Sequence, residues 1–240
     1  MTETASTSTT AFVATDLEGT LTTGRTWSAA ADYLIKHGQS LRYWLDFGWR
    51  YPVIVVSKLG MFNPLPFQHR WMRDLLTHFA GVTQADFVRA ADWMVETHLW
   101  PKRREAVVAE LAQHLQAGCQ VVLASGTYQL VLESFARKLA NELGYPIEQV
   151  HAVGTPFVYD KSSGQEILTG ELATAISAGE VKRTRLEAFL SSLNGSLHTA
   201  YGDTEPDIAM LEVSTEAVAV HPDAGLAEAA AMHNWRVIHE

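Results

Sequence analysis

Four short segments carry side chains that could do chemistry together. They are Asp16-Leu17-Glu18-Gly19-Thr20-Leu21-Thr22, Ser125-Gly126-Thr127, Gly179-Glu180-Val181-Lys182 and Gly202-Asp203-Thr204-Glu205-Pro206-Asp207. Each alone has an ordinary explanation. An Asp beside a Gly after an apolar run is a common turn or cap, and Ser-Gly-Thr ahead of a helix is a common N-cap arrangement. A lysine at a helix start is normally a solvated charge, badly placed against the helix dipole. Asp203 and Asp207 could cap and flank a short helix beginning near Pro206. Together, however, the four segments supply what transfer of a phosphoryl group requires.

A phosphate monoester is an anion, so a carboxylate nucleophile needs its charge neutralised before it can approach. Mg2+ takes oxygen ligands and keeps several waters, so two carboxylates and a carbonyl suffice to hold it. Asp16 and Asp203 offer the carboxylates and the Glu18 backbone the carbonyl. Lys182 adds positive charge against the phosphate and the nucleophile. The Ser125 hydroxyl and the Gly126 amide, expected at a helix N-terminus with Thr127 beside them, make a site for phosphate oxygens. Glu18 lies two residues beyond Asp16, on the same side of an extended chain. It can protonate the leaving oxygen and then deprotonate the attacking water.

The elements around these segments explain how they would meet. Ala11 to Thr15 is a short apolar run that reads as a buried strand ending at Asp16. From Trp27 the period changes: Trp27, Ala30, Ala31, Leu34 and Ile35 fall on one helical face. Trp71, Met72, Leu75, Leu76 and Phe79 repeat the pattern, as do Phe87, Val88, Ala91, Met94 and Val95. Between residues 24 and 102 only Val53-Ile54-Val55-Val56 could pass for a strand, so this is a helical block. After Pro101 strand and helix alternate. A helix with Val107, Val108, Leu111 and Leu115 stops at Gly118, and a strand from Gln120 to Ala124 follows. A helix from about Tyr128 to Leu143 precedes β structure over 150–172, with a turn at Ser162-Ser163-Gly164. Leu186, Phe189, Leu190 and Leu193 mark the next helix. Strands at His198 to Tyr201, Ala217 to Val220 and Arg236 to His239 close the chain, with helices between them. Such alternation predicts an α/β fold, a parallel sheet covered by helices on both faces. Open α/β sheets bind ligands at the carboxyl ends of their strands, where the four segments fall.

The composition is that of an ordinary globular protein, with 47% hydrophobic residues. Asp and Glu outnumber Lys and Arg by 27 to 18, for a formal charge of −9, which argues against a nucleic-acid partner. Cys119 is the single cysteine, so no internal disulfide can form, and its apolar neighbours suggest a buried thiol. The start MTETASTSTT lacks the basic and apolar regions of a signal peptide and reads as a disordered tail over residues 1–10. No run is long enough to span a membrane, and the apolar piece from Tyr51 to Phe62 is broken by Pro52, Ser57, Lys58 and Gly60. A cytoplasmic location is the default expectation.

The ordered set of a DxxGT-like loop, SGT, GxxK and GDxxxD resembles the haloacid dehalogenase superfamily. The helical block after the first loop is similar to the branch that contains phosphoserine phosphatase. The resemblance covers nearly the whole chain from Ala11 to His239. It implies a Rossmann-like core (residues 11–23 and 103–240), a helical cap over residues 24–102, Mg2+ and an aspartyl-phosphate intermediate. By position it makes Asp16 the nucleophile and Glu18 the acid/base. Ser125 and Lys182 would hold phosphate, with Gly126 and Thr127 completing that motif. Asp203 would bind metal, with the Glu18 carbonyl, and Asp207 would support the metal site. Two departures matter. The family's usual acid/base is Asp, whereas the DLEG form here resembles phosphoserine/homoserine phosphotransferase-like members and speaks against a true dehalogenase. Phosphoserine phosphatases also carry a Glu nine residues after the nucleophile, to grip the substrate amine; here that residue is Arg25, which speaks against phosphoserine.

Specificity should then lie in the cap. Trp44, Phe47, Gly48 and Tyr51 share a helical face, with Trp49 alongside, and Phe62, Phe67, Trp71, Trp93 and Trp100 add to the aromatic content. These rings either pack within the cap or form a lid over an apolar or lipid-like ester. The ten histidines show no metal-ligand spacing. The expected activity is hydrolysis of a small phosphate monoester. A phosphotransferase using an alcohol acceptor and a non-catalytic phosphate-binding module of the same fold are the alternatives.

Overall fold

A computed structural model describes residues 9–48 and 65–239 of the chain. The strands are β1 (Thr10–Thr15), β2 (Gln120–Tyr128), β3 (Val150–Thr155), β4 (Phe157–Asp160), β5 (Ile167–Leu172), β6 (Gly195–Gly202), β7 (Glu216–Val220) and β8 (Arg236–Ile238). The helices are α1 (Thr26–Leu34), α2 (Ser40–Phe47), α3 (Leu65–Leu76), α4 (Gln84–Met94) and α5 (Glu105–Gln116), then α6 (Gln129–Leu143), α7 (Glu180–Ser192), α8 (Ile208–Leu211) and α9 (Ala224–His233).

Six parallel strands form the main sheet in the order β3-β2-β1-β6-β7-β8. The chain winds outward from β1 through β2 to β3, then returns to β6 and winds the other way. The direction therefore reverses between β1 and β6, and this switch point opens a crevice beyond their carboxyl ends. Asp16 follows β1 and Asp203 follows β6, one on each side of it.

The sheet is buried on both faces, which is why its strands are nearly continuous apolar runs. Along β1, Val13 points to one core, with Val107, Leu111 and Val121. Phe12 and Ala14 point to the other, with Leu186 and Leu190 of α7 and Leu226 of α9. The period of two in the strand thus sorts residues between two cores.

Among the described residues, the stretch expected to be a helical block before Pro101 contains α1 to α4. It is joined to the rest by more than packing. Leu168 of β5 exchanges backbone hydrogen bonds with Val82 and Gly81 (2.9 and 2.8 Å), and the Gln84 N–H donates to the Glu166 carbonyl (2.8 Å). The buried Tyr128 hydroxyl donates to the Met72 carbonyl. The β structure expected over 150–172 is accordingly divided: β3 joins the main sheet, and β4 pairs antiparallel with β5 in a separate hairpin beside the helices.

Several expectations need amendment. β1 begins at Thr10, inside the stretch read as a tail, while Met1 to Ser8 lie outside the described residues. So do Val53–Val56, the apolar piece from Tyr51 to Phe62, and Trp49. Cys119 is half-buried rather than core, and burial pushes its thiol pKa up. Trp71 and Trp100 are packed inside, whereas Trp44 is 48% exposed. Among the described residues, no helix is long and apolar enough to cross a membrane.

Candidate active site

The loop after β1 doubles back immediately. The amides of Leu21 and Thr22 both donate to the Leu17 carbonyl (3.0 and 2.9 Å), and the Gly19 amide donates to that of Thr22 (2.7 Å). Gly19 has φ +110°, and a Cβ there would lie 1.9 Å from Asp203 Oδ2. Only glycine lets the loop pass so close to that carboxylate. The Thr20 hydroxyl donates to Asp203 Oδ1 (3.0 Å), and Arg104 Nε donates to the Gly19 carbonyl (3.0 Å). The turn is therefore fixed from both sides.

Lys182 lies in the first turn of α7, behind Gly179, whose φ of +55° sets the entry of the chain. Its Nζ donates to Asp16 Oδ1 (2.7 Å) and to Asp207 Oδ1 (2.5 Å), with all three side chains buried. Burial alone would lower the lysine pKa, but Asp16 and Asp207 outweigh it and the net shift is upward. The ammonium is fixed and charged. Asp207 is also a cap: its Oδ2 accepts the N–H groups of Asp203 and Thr204 (3.2 and 3.1 Å) and the Thr204 hydroxyl (3.2 Å). One carboxylate thus aligns the Asp203 turn and anchors the lysine.

The segment after Ala124 differs from the expected N-terminal helix site. β2 continues through Ser125-Gly126-Thr127 to Tyr128, and α6 begins only at Gln129. The Gly126 amide is thus not in the first turn of a helix. The reason is lateral pairing: Tyr128 is in register with Thr155 of β3. The Thr155 hydroxyl donates to the Gly126 carbonyl (2.9 Å) and accepts the Ser177 N–H (3.1 Å). Ser125 and Gly126 still line the cleft, as do Ser177 and Lys182. The Thr127 hydroxyl is turned to Thr26 Oγ1 (2.5 Å) and Glu18 Oε1 (3.4 Å). It orients Glu18.

Glu18 Oε1 also accepts the Thr26 N–H at the start of α1 (2.9 Å). Its Oε2 is left toward the cleft, 3.9 Å from Arg25 Nη1, while that same nitrogen donates to the Glu18 carbonyl (2.9 Å). A carbonyl has two lone pairs, so this contact leaves one for a further ligand.

The residues fit a hard divalent cation. Carboxylate oxygens of Asp16, Asp203 and Asp207 lie within 4.8 Å of one another, all buried. Among the described residues, Asp16 Oδ2 and Asp203 Oδ2 have no protein donor in the hydrogen bonds above, whereas both Asp207 oxygens are engaged. Burial and then the neighbouring carboxylates push Asp203 up to about 8, and burial also raises Asp16 despite Lys182. Crowded buried carboxylates of this kind are relieved by a cation bound between them. Asp16, Asp203 and the Glu18 carbonyl would be its protein ligands, and Asp207 their support.

A cleft of about 570 Å³ connects these groups to solvent. Its lining also includes Arg25, marked in the sequence by its departure from the family pattern, and Trp27, Met72, Ser177 and Asp223, which did not stand out there as site residues. Asp223 could have been found, because it follows β7 at the same sheet edge; its carboxylate accepts the Glu205 and Leu226 amides (3.1 and 2.9 Å).

A doubly wound sheet with its polar groups gathered at the switch point defines the class of protein. The family model for haloacid dehalogenase-like hydrolases matches residues 13–212, and the chain belongs to that family. A Mycobacterium tuberculosis (strain H37Rv) protein named phosphoserine phosphatase SerB1 is 33% identical over 172 residues, covering 69% of this chain and 50% of that protein. A putative hydrolase of Mycobacterium leprae is 30% identical over 148 residues, 61% of this chain and 44% of that one. The chain thus spans about half the length of the curated relatives it matches. Among solved structures, a Bordetella pertussis Tohama I protein of unknown function superposes with a TM-score of 0.74 at 20% identity, covering 97% of this chain and 99% of that one. A substrate-bound phosphoserine phosphatase complex gives 0.57 at 16% identity, covering 97% and 94%. At such identities the structures speak for the fold alone.

Proposed function

We propose that this protein hydrolyses small phosphate monoesters, with Mg2+, through a phosphoryl group carried on Asp16. One observation carries the reading: a single buried carboxylate, Asp16, is gripped at one oxygen by Lys182 and open at the other, beside Asp203. A nucleophile so placed has a fixed cation on one flank and a cation-binding carboxylate on the other.

Bound Mg2+ would neutralise phosphate charge and orient the ester. The chain's own groups do the rest. Ser125, the Gly126 amide and Lys182 receive phosphate oxygens. The open Asp16 oxygen attacks phosphorus as the ester P–O bond breaks, and Glu18 Oε2–H gives its proton to the departing alkoxide. The Glu18 carboxylate then takes a proton from water, whose oxygen attacks phosphorus and breaks the bond to Asp16. Phosphate and free alcohol result, and Asp16 is restored. Thr26 and Thr127 hold Glu18 for both steps, and α1, α3 and the residues around them act as a cap, lining the cleft with Trp27 and Met72. Arg25 stands where the phosphoserine phosphatase pattern has the Glu that grips the substrate amine, which speaks against phosphoserine.

Phosphate release from a panel of sugar, amino-acid, nucleotide and lysophospholipid esters tests this. Turnover should need Mg2+, vanish in EDTA and be absent in Asp16→Asn. Full turnover in metal-free buffer, or in that variant, contradicts it.

A further inference from the structure

Five carboxylates line the cleft, Asp16, Glu18, Glu205, Asp207 and Asp223, against two cations among the described residues, Lys182 and Arg25. Lys182 spends two of its three donors on Asp16 and Asp207, and the third is left for the phosphate. Arg25 stands at the residue before α1 without capping the helix through its side chain, which is 46% exposed; among the described residues its hydrogen bond is to the Glu18 carbonyl. A guanidinium has five donors in a planar fork, so most remain for a ligand.

Glu18 pairs with it only loosely and takes none of its donors through the side chain. The contact to Oε2 is 3.9 Å, beyond hydrogen-bond reach, and Oε1 is taken by the Thr26 N–H. Trp27 and Met72 form the adjoining apolar wall. Beyond the phosphate subsite, then, the cleft presents an apolar surface with one under-used forked cation at its edge. A neutral leaving group would give that cation nothing to bind, and this acidic cleft would repel an anionic one everywhere else.

Resting on the phosphomonoesterase reading, we propose that the alcohol released carries a second anionic group, a carboxylate or a second phosphate, received by Arg25. Bidentate pairing with either group suits the guanidinium geometry.

Matched esters test it: 3-phosphoglycerate against glycerol 3-phosphate for the carboxylate, and propane-1,3-diol bisphosphate against the monophosphate for the second phosphate. The wild type should favour the anionic member of at least one pair by roughly 10- to 100-fold in kcat/KM, the range for a charged hydrogen bond. Arg25→Gln should erase that preference, and Arg25→Lys should keep part of it. If Arg25 merely positions Glu18, both members of each pair slow together and the ratio survives the substitution, which overturns the proposal. Equal rates for both pairs in the wild type overturn it as well. Calorimetric binding of the same pairs to Asp16→Asn with Mg2+ separates the two readings. Discrimination in binding without wild-type turnover keeps Arg25's role and removes hydrolysis. Turnover without discrimination does the reverse.

Discussion

Replacing Lys182 with Met keeps the side-chain volume and removes the charge, leaving Asp16 and Asp207 buried without their shared cation. Both are nearly inaccessible, at 6% and 1% exposure, and they lie 2.7 and 2.5 Å from the ammonium. Deleting one partner of a buried ion pair costs about 3–5 kcal/mol. With two carboxylates stranded, the upper end, about 5 kcal/mol, is expected in EDTA. For a chain of this size that corresponds to a fall in Tm of roughly 10–20 °C. The loss should depend on pH. A stranded carboxyl has its pKa raised in the folded state, so the penalty is full above that raised value and disappears below the unfolded value of about 4. Differential scanning calorimetry of Lys182→Met and wild type from pH 4 to 8 should show the Tm gap widening with pH. With Mg2+, kcat should drop by about 10²–10³, the usual effect of removing a preorganised group from developing charge. A variant with wild-type Tm at pH 8 and near-normal turnover would refute the placement of Lys182.

Two further outcomes follow from the same cluster. Asp16 and Asp203 are raised to about 6 and about 8, chiefly by burial, so the metal-free protein should lose stability as pH rises from 4 to 8. Mg2+ must displace those protons, so its Kd should fall over that range and its stabilising effect on Tm should grow; a Kd flat with pH by calorimetry would contradict this. Gly19→Ala would place a Cβ against Asp203 at φ +110°, costing about 1–2 kcal/mol from backbone strain alone. Urea midpoints should drop and Mg2+ titration should show weakened binding, whereas unaltered Mg2+ affinity would mean that the loop is not set against Asp203 as described.

Much of the sheet was readable because each change of hydrophobic period marks an element boundary. Asp16 and Asp203 stood out as the first polar residues after β1 and β6, and Lys182 as a charge misplaced at a helix start. What local pattern does not encode is who bonds to whom across the chain. The Thr155 hydroxyl links Gly126 to Ser177. β2 stays extended to Tyr128, beyond the expected end at Ala124, while α6 starts at Gln129, close to where the pattern put it. Nothing around residue 126 announces a partner 29 positions away. Arg25 showed only as a departure from a family pattern, and its grip on the Glu18 carbonyl requires the folded turn. Asp223 was legible by the same strand-end rule that found Asp203.

The covalent step through Asp16 is the central claim, and trapping it is the most direct test. Glu18→Gln keeps an oxygen for the Thr26 N–H but lacks the base for water attack. With p-nitrophenyl phosphate, whose leaving group needs no proton, Asp16 can still be phosphorylated and the second step should stall. Rapid quenching followed by mass spectrometry should find the added phosphate on Asp16. A label on Glu18, or continued hydrolysis with no label on any residue, would contradict the account.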